Sequence, residues 1–516
     1  MTEIAEKIPE RRSLWKNIAL TTICLVHITS LFLVKAVIDL KVIPGKYIRI
    51  LAIVLGVLNL LVLLSVLAKR SSKIIKFLTA LLCVLMIGVN ATGTYALPYY
   101  KGRVEKMFVD IPDVTELYMN VYALQTSGYE SLDDLIGKKM GIQTTLDIEN
   151  QQLALEEIEK QLDGEKIDLV EYEDFYAAVE ALYKGEVDAI MLNDVYAEIV
   201  SENDDYASFA EDAMLIVQIT QQVIDDNNNK KPDQYTGDVT KSPFIVGIAG
   251  SDNFKSSPTT TGRTDANIVC VVNPNTRQIL MITIPRDSHL PIGGDTKKMD
   301  KITHASIYGI EAWKDTVSYL LGTEVNFYVR VNFRSLIDIV DALGGLTINN
   351  PYAFTSTKHQ VWDKARNKAV WMTYSYAEGT ITMTGNETLL YVRERYALKD
   401  NDMGRNQHQA IVLKALIDTV ISKDVITKAD ALLTALEGKF LTNMTSDQIF
   451  SLVQMQLSDM SGWHFTNYSL TGRTGPGESY AMGKGKQLSM VFLNDDSINE
   501  ARQLIQRVMN NEILSD

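Results

Sequence analysis

The chain contains few cysteines. There are three in 516 residues: Cys24 and Cys83 lie in apolar runs, and Cys270 lies alone in a run of strand-forming residues. This distribution predicts no disulfide framework. An exported protein without disulfides fits a bacterial surface better than an animal secretory pathway.

Positive charge is also scarce. Fifty lysines and arginines face 64 aspartates and glutamates, which gives a formal net charge of -14. Nucleic-acid-binding proteins usually carry a basic surface, so we expect no nucleic-acid partner. The length predicts two or three domains.

Long apolar runs, in contrast, are concentrated in the first hundred residues. Ile18–Val37, Ile50–Ala68 and Phe77–Leu97 each have about the 20 residues that a helix needs to cross a bilayer. Buried soluble helices rarely come as three such runs in succession, and the apolar core of a cleaved signal peptide is shorter. We therefore predict a cytoplasmic N-terminus at residues 1–16 and three transmembrane helices within 17–98.

The cations that flank these runs predict the orientation of the chain. Those before the first run and between the second and third are Lys7, Arg11, Arg12, Lys16, Lys69, Arg70, Lys73 and Lys76. The positive-inside rule places both segments in the cytoplasm, so three crossings leave everything after about Pro98 outside the cell. Lys41, Lys46 and Arg49 oppose this orientation, because they would lie on the outer side.

The external part is predicted to contain two domains. A polar stretch without apolar periodicity, at residues 225–241, reads as a linker. Before it, residues 104–224 alternate short strand and helix signals, which is typical of a small α/β domain. The segments SLDDLIGKKMGIQTT and EALYKGEVDAIMLND in this part resemble one lobe of extracellular solute-binding proteins. After the linker, residues 242–516 form the second external domain.

Three β-branched runs open this second domain: FIVGIAG, ANIVCVV and ILMITIP. They predict an antiparallel meander. Asp252 follows the first run, Asp265 precedes the second and Arg286 follows the third, so all three should meet at one end of the sheet. Two such carboxylates need a cation between them, and hard oxygen ligands suit Mg²⁺. Ordinary turn or cap aspartates are the alternative.

The stretch YVRERYALKDNDMGRNQ gathers three arginines in this acidic chain. Arg393 and Arg395 can face one ligand only if the preceding helix ends between them, because residues two apart on a helix point to different sides. Asp402 is expected to cap a new helix, on which Arg405 and Gln409 share a face. Arg405 in the first turn is unfavourable for the helix dipole. A bound phosphate, in contrast, would be stabilised by the arginine and by the helix N-terminus together. Surface ion pairs with Glu394, Asp400 and Asp402 are the alternative.

Seven segments together resemble the LytR-CpsA-Psr phosphotransferase domain over roughly Ser242 to the C-terminus. They are GSDN, GRTDANIVCVV, TIPRDSHLPI, MDKITHASIYG, VNFRSLIDIVDALGGLTI, TGNETLLYVRER and GRNQHQAIVLKAL. The three spans and the extra domain are similar in layout to CpsA-type members. The resemblance implies an α/β (α+β) fold with a mixed central sheet flanked by helices.

The resemblance also implies a function. Family members, in Gram-positive bacteria, transfer a glycopolymer such as capsular polysaccharide from a polyprenyl-pyrophosphate carrier to peptidoglycan through a phosphodiester bond. The partners expected are this lipid-linked polymer, peptidoglycan, membrane lipid and other capsule-assembly proteins. A transferase held at the cell membrane as a multi-pass protein, with its C-terminal domains extracellular, fits the predicted topology.

Site residues follow by position in the matching motifs. Asp252 and Asp265 would hold Mg²⁺, or Mn²⁺ in its place. The pyrophosphate-binding shell would be Arg263, Arg286, Lys301, Arg393, Arg395, Arg405 and Gln409. Those implied in catalysis are Asp265, Arg286, Arg393 and Arg395. His408 stands where many relatives have an arginine, so one exposed phosphate contact is expected to be absent.

Two other functions are compatible with parts of the sequence. A pyrophosphatase or lipid-binding protein could use the same site without joining the polymer to an acceptor. A membrane-bound transcriptional regulator of a capsule locus fits poorly, because the predicted cytoplasmic segments are too short for a DNA-reading domain. The helices FRSLIDIVDALGG and AIVLKALIDTVI are expected to line an apolar slot for the lipid, although most of their apolar residues are expected to be core.

Overall fold

The three apolar runs form three long helices. The computed structural model describes residues 7–68, 72–109, 114–145, 147–201, 204–224, 235–255, 257–259, 261–421, 429–482 and 487–515. The helices of the first part, and the short strand that follows them, are α1 (Lys7–Asp39), α2 (Gly45–Leu67), α3 (Lys73–Glu105) and β1 (Phe108–Val109). Each helix is long and apolar enough to cross a membrane, so the predicted membrane anchor is confirmed.

One polar layer connects these three helices. The amides of Asn59 on α2 and Asn90 on α3 each donate a hydrogen bond to the hydroxyl of Ser30 on α1, at 3.0 Å. All three side chains are buried. Hydrogen bonds of this kind fix the register of helices that otherwise meet only apolar neighbours.

Cations between α1 and α2 meet a helix from the far end of the chain, α14 (Ser446–Asp459). Residues 1–108, 238–242 and 444–462 form one compact unit. Within it, Lys41 Nζ lies 2.8 Å from Asp447 Oδ2, and Lys46 donates to the backbone carbonyl of Ser458. These cations are thus partly neutralised by α14, and they lie on the same side of the anchor as that helix.

The second compact unit contains residues 109–237, 243–443 and 463–516. Its first part is an α/β region, as predicted. The elements there are β2 (Val114–Leu124), β3 (Lys139–Gln143), α4 (Ile148–Gln161), β4 (Asp168–Tyr172), α5 (Phe175–Lys184), β5 (Ala189–Asn193), α6 (Asp194–Val200), α7 (Phe209–Asp212) and β6 (Ala213–Ile224). The strands form one sheet in the order β4-β3-β5-β2-β6. The domain boundaries predicted above stay predictions, and residues 225–234 of the predicted linker lie outside the described residues.

The remainder of this unit is the larger α/β region. Its elements up to the middle are β7 (Phe244–Ser251), β8 (Thr264–Asn273), β9 (Gln278–Thr283), β10 (His289–Pro291), β11 (Met299–Lys301), α8 (Ile302–Ala305), α9 (Ile310–Leu321), β12 (Phe327–Asn332), α10 (Phe333–Leu343), β13 (Leu346–Asn350), β14 (Phe354–Thr355), β15 (His359–Asp363), β16 (Lys368–Met372), β17 (Ser375–Tyr376) and β18 (Gly379–Met383). The later elements are α11 (Gly385–Arg393), α12 (Asp402–Val420), α13 (Ala429–Leu436), β19 (Phe440–Thr442), β20 (His464–Ser469), β21 (Gly472–Glu478), β22 (Gln487–Leu493) and α15 (Asp495–Met509).

The central sheet of the larger region is mixed. Its strands run in the order β19-β12-β7-β8-β9-β20. The pairs β7–β8 and β8–β9 are antiparallel, which confirms the predicted meander, whereas β12 is parallel to β7 and β20 is parallel to β9. One face packs against α9 and α15 around the buried Trp313, and the other packs against α12. The mixed sheet flanked by helices is therefore confirmed.

Candidate functional site

A β-bulge sets the position of the first two acidic residues. Gly250 of β7 faces Ala266 of β8, but the next residue, Ser251, faces Thr264. Asp265 is therefore the extra residue of a bulge, not the residue before the strand that the sequence predicted. Bulges redirect side chains, and this one places Asp265 near Asp252, which directly follows β7.

Each of the two carboxylates holds an arginine. Arg263 Nη2 lies 2.6 Å from Asp252 Oδ2, and Arg286 Nη1 donates to Asp265 Oδ1. The side chains of all four residues are less than one fifth exposed. The structure therefore brings together both predicted metal ligands and two predicted phosphate-binding arginines, in a place where charge interactions are only weakly screened by water.

The surroundings of the pair shift the pKa values of the two carboxyl groups in opposite directions. For Asp265 burial opposes ionisation, but the surrounding guanidinium groups, Arg286 foremost, hold its pKa below the ordinary value. Burial, together with repulsion from Asp265, raises the pKa of Asp252 despite its pairing with Arg263. Two carboxylates so close favour a shared cation or proton.

The helix α11 ends where the arginine stretch begins. Its last residue is Arg393, and Glu394 already has extended backbone, as the two-residue spacing of Arg393 and Arg395 required. Arg393 Nη1 donates to the carbonyl of Gln360 at 2.8 Å, and its guanidinium lies 4.3 Å from the centre of the Phe333 ring. Burial lowers the pKa of Arg393, and Asp265 opposes that shift. Arg393 is thus oriented from two sides beside the acidic pair.

Asp402 does not cap the helix α12 as predicted. The N-cap residue is Asn401, which makes no side-chain cap bond, and Asp402 is the first helical residue. Its two oxygens instead accept from Arg395 Nη2 and Arg405 Nη2, each at 2.7 Å. The ion pairs weighed as an alternative to anion binding therefore exist for Asp402, and they hold two predicted site arginines in one place.

The last two predicted residues, Gln409 and Lys301, contact other residues of the site. Gln409 Nε2 lies 3.4 Å from the carbonyl oxygens of Asp265 and Val392, so it links the bulge to the end of α11. Lys301 Nζ lies 3.3 Å from Asp287 Oδ1, which is also 3.5 Å from Arg286 Nε. Lys301 thus reaches the charged cluster through Asp287.

An apolar cavity of about 690 Å³, including its open mouth, adjoins this cluster. Four predicted residues line it: Asp265, Arg393, Arg405 and Gln409. The apolar lining comes from the central strands and from α10, α11 and α12; it comprises Ile248, Ala266, Ile268, Val331, Phe333, Leu336, Val392, Val412, Leu413 and Leu416. Both helices expected to form the slot contribute to it. A ligand with a charged group joined to an apolar chain would match the charged and apolar parts of this cavity.

The donor set is compatible with Mg²⁺. No group of three or more His, Cys, Asp or Glu side chains suited to a metal is present among the described residues. Two neighbouring carboxylates remain, Asp252 and Asp265. Mg²⁺ keeps several waters and is often bound by one or two carboxylates together with phosphate oxygens of the substrate. Asp252 and Asp265 therefore fit the ion, whereas a metal that needs three or four protein ligands does not fit them.

The sequence did not predict Asp287 as part of the site, and it indicated Glu394 and Asp402 only as partners in surface ion pairs. Asp287 and Asp402 orient predicted cations, as described above. Glu394 is fully buried and accepts from Thr357 N at 2.5 Å and from Arg395 N at 2.9 Å. Despite its burial, bonds from His359 and from backbone amides lower the pKa of Glu394 to about 2. The signal in the sequence was an arginine next to Glu394 and Asp287, in RER and PRD, and one three residues after Asp402, in DMGR.

His408 is not an exposed position. It is 1% exposed, and its ring stacks on Tyr391 with centroids 3.9 Å apart. The position is therefore buried and not exposed, and the absence of one phosphate contact stays a prediction. His304 is also fully buried, and its Nδ1 lies 2.8 Å from Asp300 Oδ1.

The family model and the relatives found by comparison with known proteins agree with each other. The model of the LytR_cpsA_psr family matches residues 211–496, more than half of the chain. A protein of Bacillus licheniformis named polyisoprenyl-teichoic acid–peptidoglycan teichoic acid transferase TagU is 33% identical over 227 residues, which are 44% of this chain and 68% of that protein. The protein of the same name from Bacillus subtilis is 34% identical, with the same coverage.

Solved structures are similar over about half of the chain. The crystal structure of B. subtilis TagU is 26% identical and covers 53% of this chain and 100% of its own, with a TM-score of 0.39. A structure titled TagT bound to LIIa-WTA is 25% identical and covers 55% of this chain and 96% of its own, with a TM-score of 0.40.

Proposed function

The chain belongs to the LytR_cpsA_psr family, and from this premise we propose that it joins a capsular or related wall polysaccharide to peptidoglycan. It is a membrane-anchored phosphotransferase that acts on a glycopolymer. The polymer is carried on polyprenyl pyrophosphate, and the product is a phosphodiester on a sugar hydroxyl of the wall. The choice of a capsular polymer is supported by the layout of the chain, because the three spans and the additional α/β region are similar to those of CpsA-type members of the family.

The observation that carries this proposal is the contact between the cationic cluster and the apolar cavity. Asp265, Arg393 and Arg405 line the same cavity as Ile248, Val331 and Leu416. Polyprenyl pyrophosphate has the complementary structure, since its diphosphate is strongly anionic and its tail is purely apolar. A soluble nucleotide or sugar phosphate would leave the apolar part of the cavity without a partner.

The reaction exchanges the phosphoanhydride bond of the diphosphate for a phosphate ester bond to the acceptor. The oxygen of the acceptor hydroxyl forms a bond to the phosphorus next to the polymer, and the bond from that phosphorus to the bridging oxygen breaks. Polyprenyl phosphate leaves with the electron pair of that bond, and the hydroxyl proton passes to the medium. No oxidant or further reactant is required.

The arginines do most of the electrostatic work. Phosphoryl transfer needs positioning and charge neutralisation more than covalent help from the protein. Arg286 and Arg393 both interact with the charge of Asp265. Arg263 pairs with Asp252, and Arg395 and Arg405 are oriented by Asp402. Fixed guanidinium groups of this kind stabilise the charge that builds on the leaving oxygen.

Asp252 and Asp265 are the residues that would hold Mg²⁺, with Mn²⁺ as the substitute. The bound ion would neutralise charge on the diphosphate. In the described structure these carboxylates pair with Arg263 and Arg286.

The site is placed on the outer face of the membrane in this proposal. Peptidoglycan lies there, and three crossings carry the chain from a cytoplasmic N-terminus to the outside. A reporter fused after Glu105, the last residue of α3, tests the orientation, because an alkaline phosphatase fusion is active only outside. Activity of a cytoplasmic reporter at that position would contradict the assignment.

The central test compares products of the full chain with those of two variants. Asp265→Ala and Arg395→Ala are expected to lower transfer by about a hundredfold or more, the scale seen when one charge-stabilising group is removed. Membrane fractionation checks that both variants insert. Arg366→Ala is the matched control, since Arg366 is exposed and pairs with Asp363 on a hairpin outside the site.

The chemical identity of the product distinguishes the remaining alternatives. Polymer joined to peptidoglycan through a phosphodiester supports the proposal. Free phosphorylated glycan, formed with water as the acceptor, would identify a pyrophosphatase instead. Unchanged polymer attachment in both variants would refute the assignment of the site.

A further inference from the structure

A fully buried arginine lies behind the loop that carries Arg263. Arg330 belongs to β12 and is 0% exposed. Its neighbour Val331 lines the apolar cavity. The residues that line the cavity also include Asn332 but not Arg330, so Arg330 is not a direct ligand of the lipid tail.

The guanidinium group of Arg330 is bonded to the loop backbone. Its Nη2 donates to the carbonyl oxygens of Thr261 and Gly262, each at 2.9 Å. The hydroxyl of Ser306 donates to the same Gly262 carbonyl. Gly262 has a φ of 110°, which favours glycine. These bonds fix the backbone immediately before Arg263 and the bulge at Asp265.

The buried guanidinium group of Arg330 lowers the stability of the fold. Among the described residues, Nε and Nη1 of Arg330 have no hydrogen-bond partner, and an unsatisfied buried donor costs free energy. Burial lowers the pKa of Arg330 to about 10, and the charge of Asp252 opposes that shift. An apolar side chain would fill the same place without these penalties. The charge therefore has a use other than packing.

We propose that Arg330 is a positioning residue for the diphosphate site. It holds the Thr261–Gly262 backbone so that Arg263 and Asp265 meet the substrate in one geometry, and it adds a fixed positive charge behind Asp252. The inference rests on the proposed function, because it assigns Arg330 to the binding of a polyprenyl pyrophosphate.

The experiment measures binding and folding separately in the detergent-solubilised full chain. The probe is geranylgeranyl pyrophosphate, and thermal unfolding is recorded for the same samples. Arg330→Met, similar in length but uncharged, is expected to weaken binding of the probe about tenfold, the effect of about one charged hydrogen bond. The matched control is Arg502→Met, because Arg502 also donates to a backbone carbonyl, that of Leu320, but at α15.

The control separates positioning from stability. Both variants are expected to melt at lower temperature, whereas only Arg330→Met should lose affinity for the probe. Equal and undiminished binding by both variants would overturn the inference. If Arg330→Met does not fold, Arg330→Lys decides, since lysine keeps the charge but cannot reproduce the guanidinium fork.

For Arg330→Lys we expect a loss of about threefold at a melting temperature near that of the wild type. Binding equal to the wild type would show that the bonds to the loop do not matter for the site, which would again overturn the inference. Failure of the wild-type chain to bind the probe at all is a different result, since it would remove the proposed function itself.

Discussion

Arg395 and Asp402 form an ion pair of 2.7 Å across the loop that separates α11 from α12. The second oxygen of Asp402 holds Arg405 at the same distance. One carboxylate therefore fixes two cations that come from different helix ends. The arginines are orientated before any substrate arrives, and orientation in advance lowers the entropy lost on binding.

Removal of the Asp402 charge should loosen both arginines. For Asp402→Asn we expect kcat/KM to fall about tenfold, because two guanidinium groups lose their common partner. Steady-state transfer assays with the lipid-linked polymer measure this change. Asp400→Asn is the control, since Asp400 is exposed and adjacent; an equal fall in both variants would show that local charge, not orientation, is responsible.

Glu394 should make the free energy of unfolding depend on pH in the acidic range. Its pKa is lowered to about 2 in the folded chain, so its stabilising effect is complete above the unfolded value of 4.5 and is lost as pH falls toward 2. Glu394→Gln is expected to lower the free energy of unfolding by about 2 kcal/mol at pH 7, and by less at pH 3.

Denaturant unfolding of the detergent-solubilised chain at several pH values tests the effect of Glu394. Glu378→Gln, at an exposed position, should leave the free energy of unfolding unchanged. A difference between wild type and Glu394→Gln that stays constant from pH 7 to pH 3 would contradict the role of the carboxylate charge.

His408 should weaken the fold at mildly acidic pH. Burial lowers the pKa of His408 to about 4, so the folded chain favours the neutral ring. This preference stabilises the fold fully above the unfolded pKa of about 6.5, and the stabilisation is lost as pH falls through 6.5 toward 4.

His408→Phe keeps a ring against Tyr391 but removes the titration. Between pH 7 and pH 5, we expect the wild type to lose about 2 kcal/mol more unfolding free energy than this variant. Denaturant curves at the two pH values give the comparison. Parallel losses in the two proteins would mean that His408 does not titrate in this range.

The apolar cavity predicts a preference for lipid length. Leu416 lines the cavity, and Leu416→Trp should shorten it. Geranylgeranyl pyrophosphate is then expected to bind about tenfold more weakly, whereas geranyl pyrophosphate, which has half the chain, keeps most of its affinity. Val420→Trp, one turn further on α12 and 48% exposed, is the control. Equal losses for both lipids would place the tail elsewhere.

The acidic pair predicts a requirement for Mg²⁺ in binding as well as in transfer. We expect EDTA to weaken binding of geranylgeranyl pyrophosphate by the wild type about tenfold or more, because the diphosphate and both carboxylates then repel each other. Asp252→Asn should bind with little dependence on Mg²⁺. A wild-type affinity that is the same with EDTA and with Mg²⁺ would exclude the metal from the site.

Much of the local structure could be predicted from the sequence. The three apolar runs are long enough to span a bilayer, and they form α1 to α3. β-branched runs and turn residues predicted the meander β7–β8–β9, and the spacing of Arg393 and Arg395 required the helix end that the structure has. These features depend on residues close together in the chain, so their causes are visible in it.

The partners of the charged side chains could not be predicted in the same way. Asp402 was predicted to cap a helix, with a surface ion pair as the alternative, and the sequence did not indicate that it binds both Arg395 and Arg405. Arg330 was not singled out by the sequence, and it is buried against the loop of Gly262. In both cases the side chain has several possible partners, and its actual partners depend on distances that only the folded chain sets.

The sequence by itself determined the membrane anchor, the mixed α/β composition and the residue types of the site, because apolar length, strand periodicity and charge are properties of short segments. Only the tertiary structure decided that a bulge points Asp265 toward Asp252, that Asp402 joins two arginines, and which apolar residues line the cavity instead of the core. The physical reason is that these arrangements arise from contacts between distant segments, whose geometry exists only after the sheet and the helices have packed together.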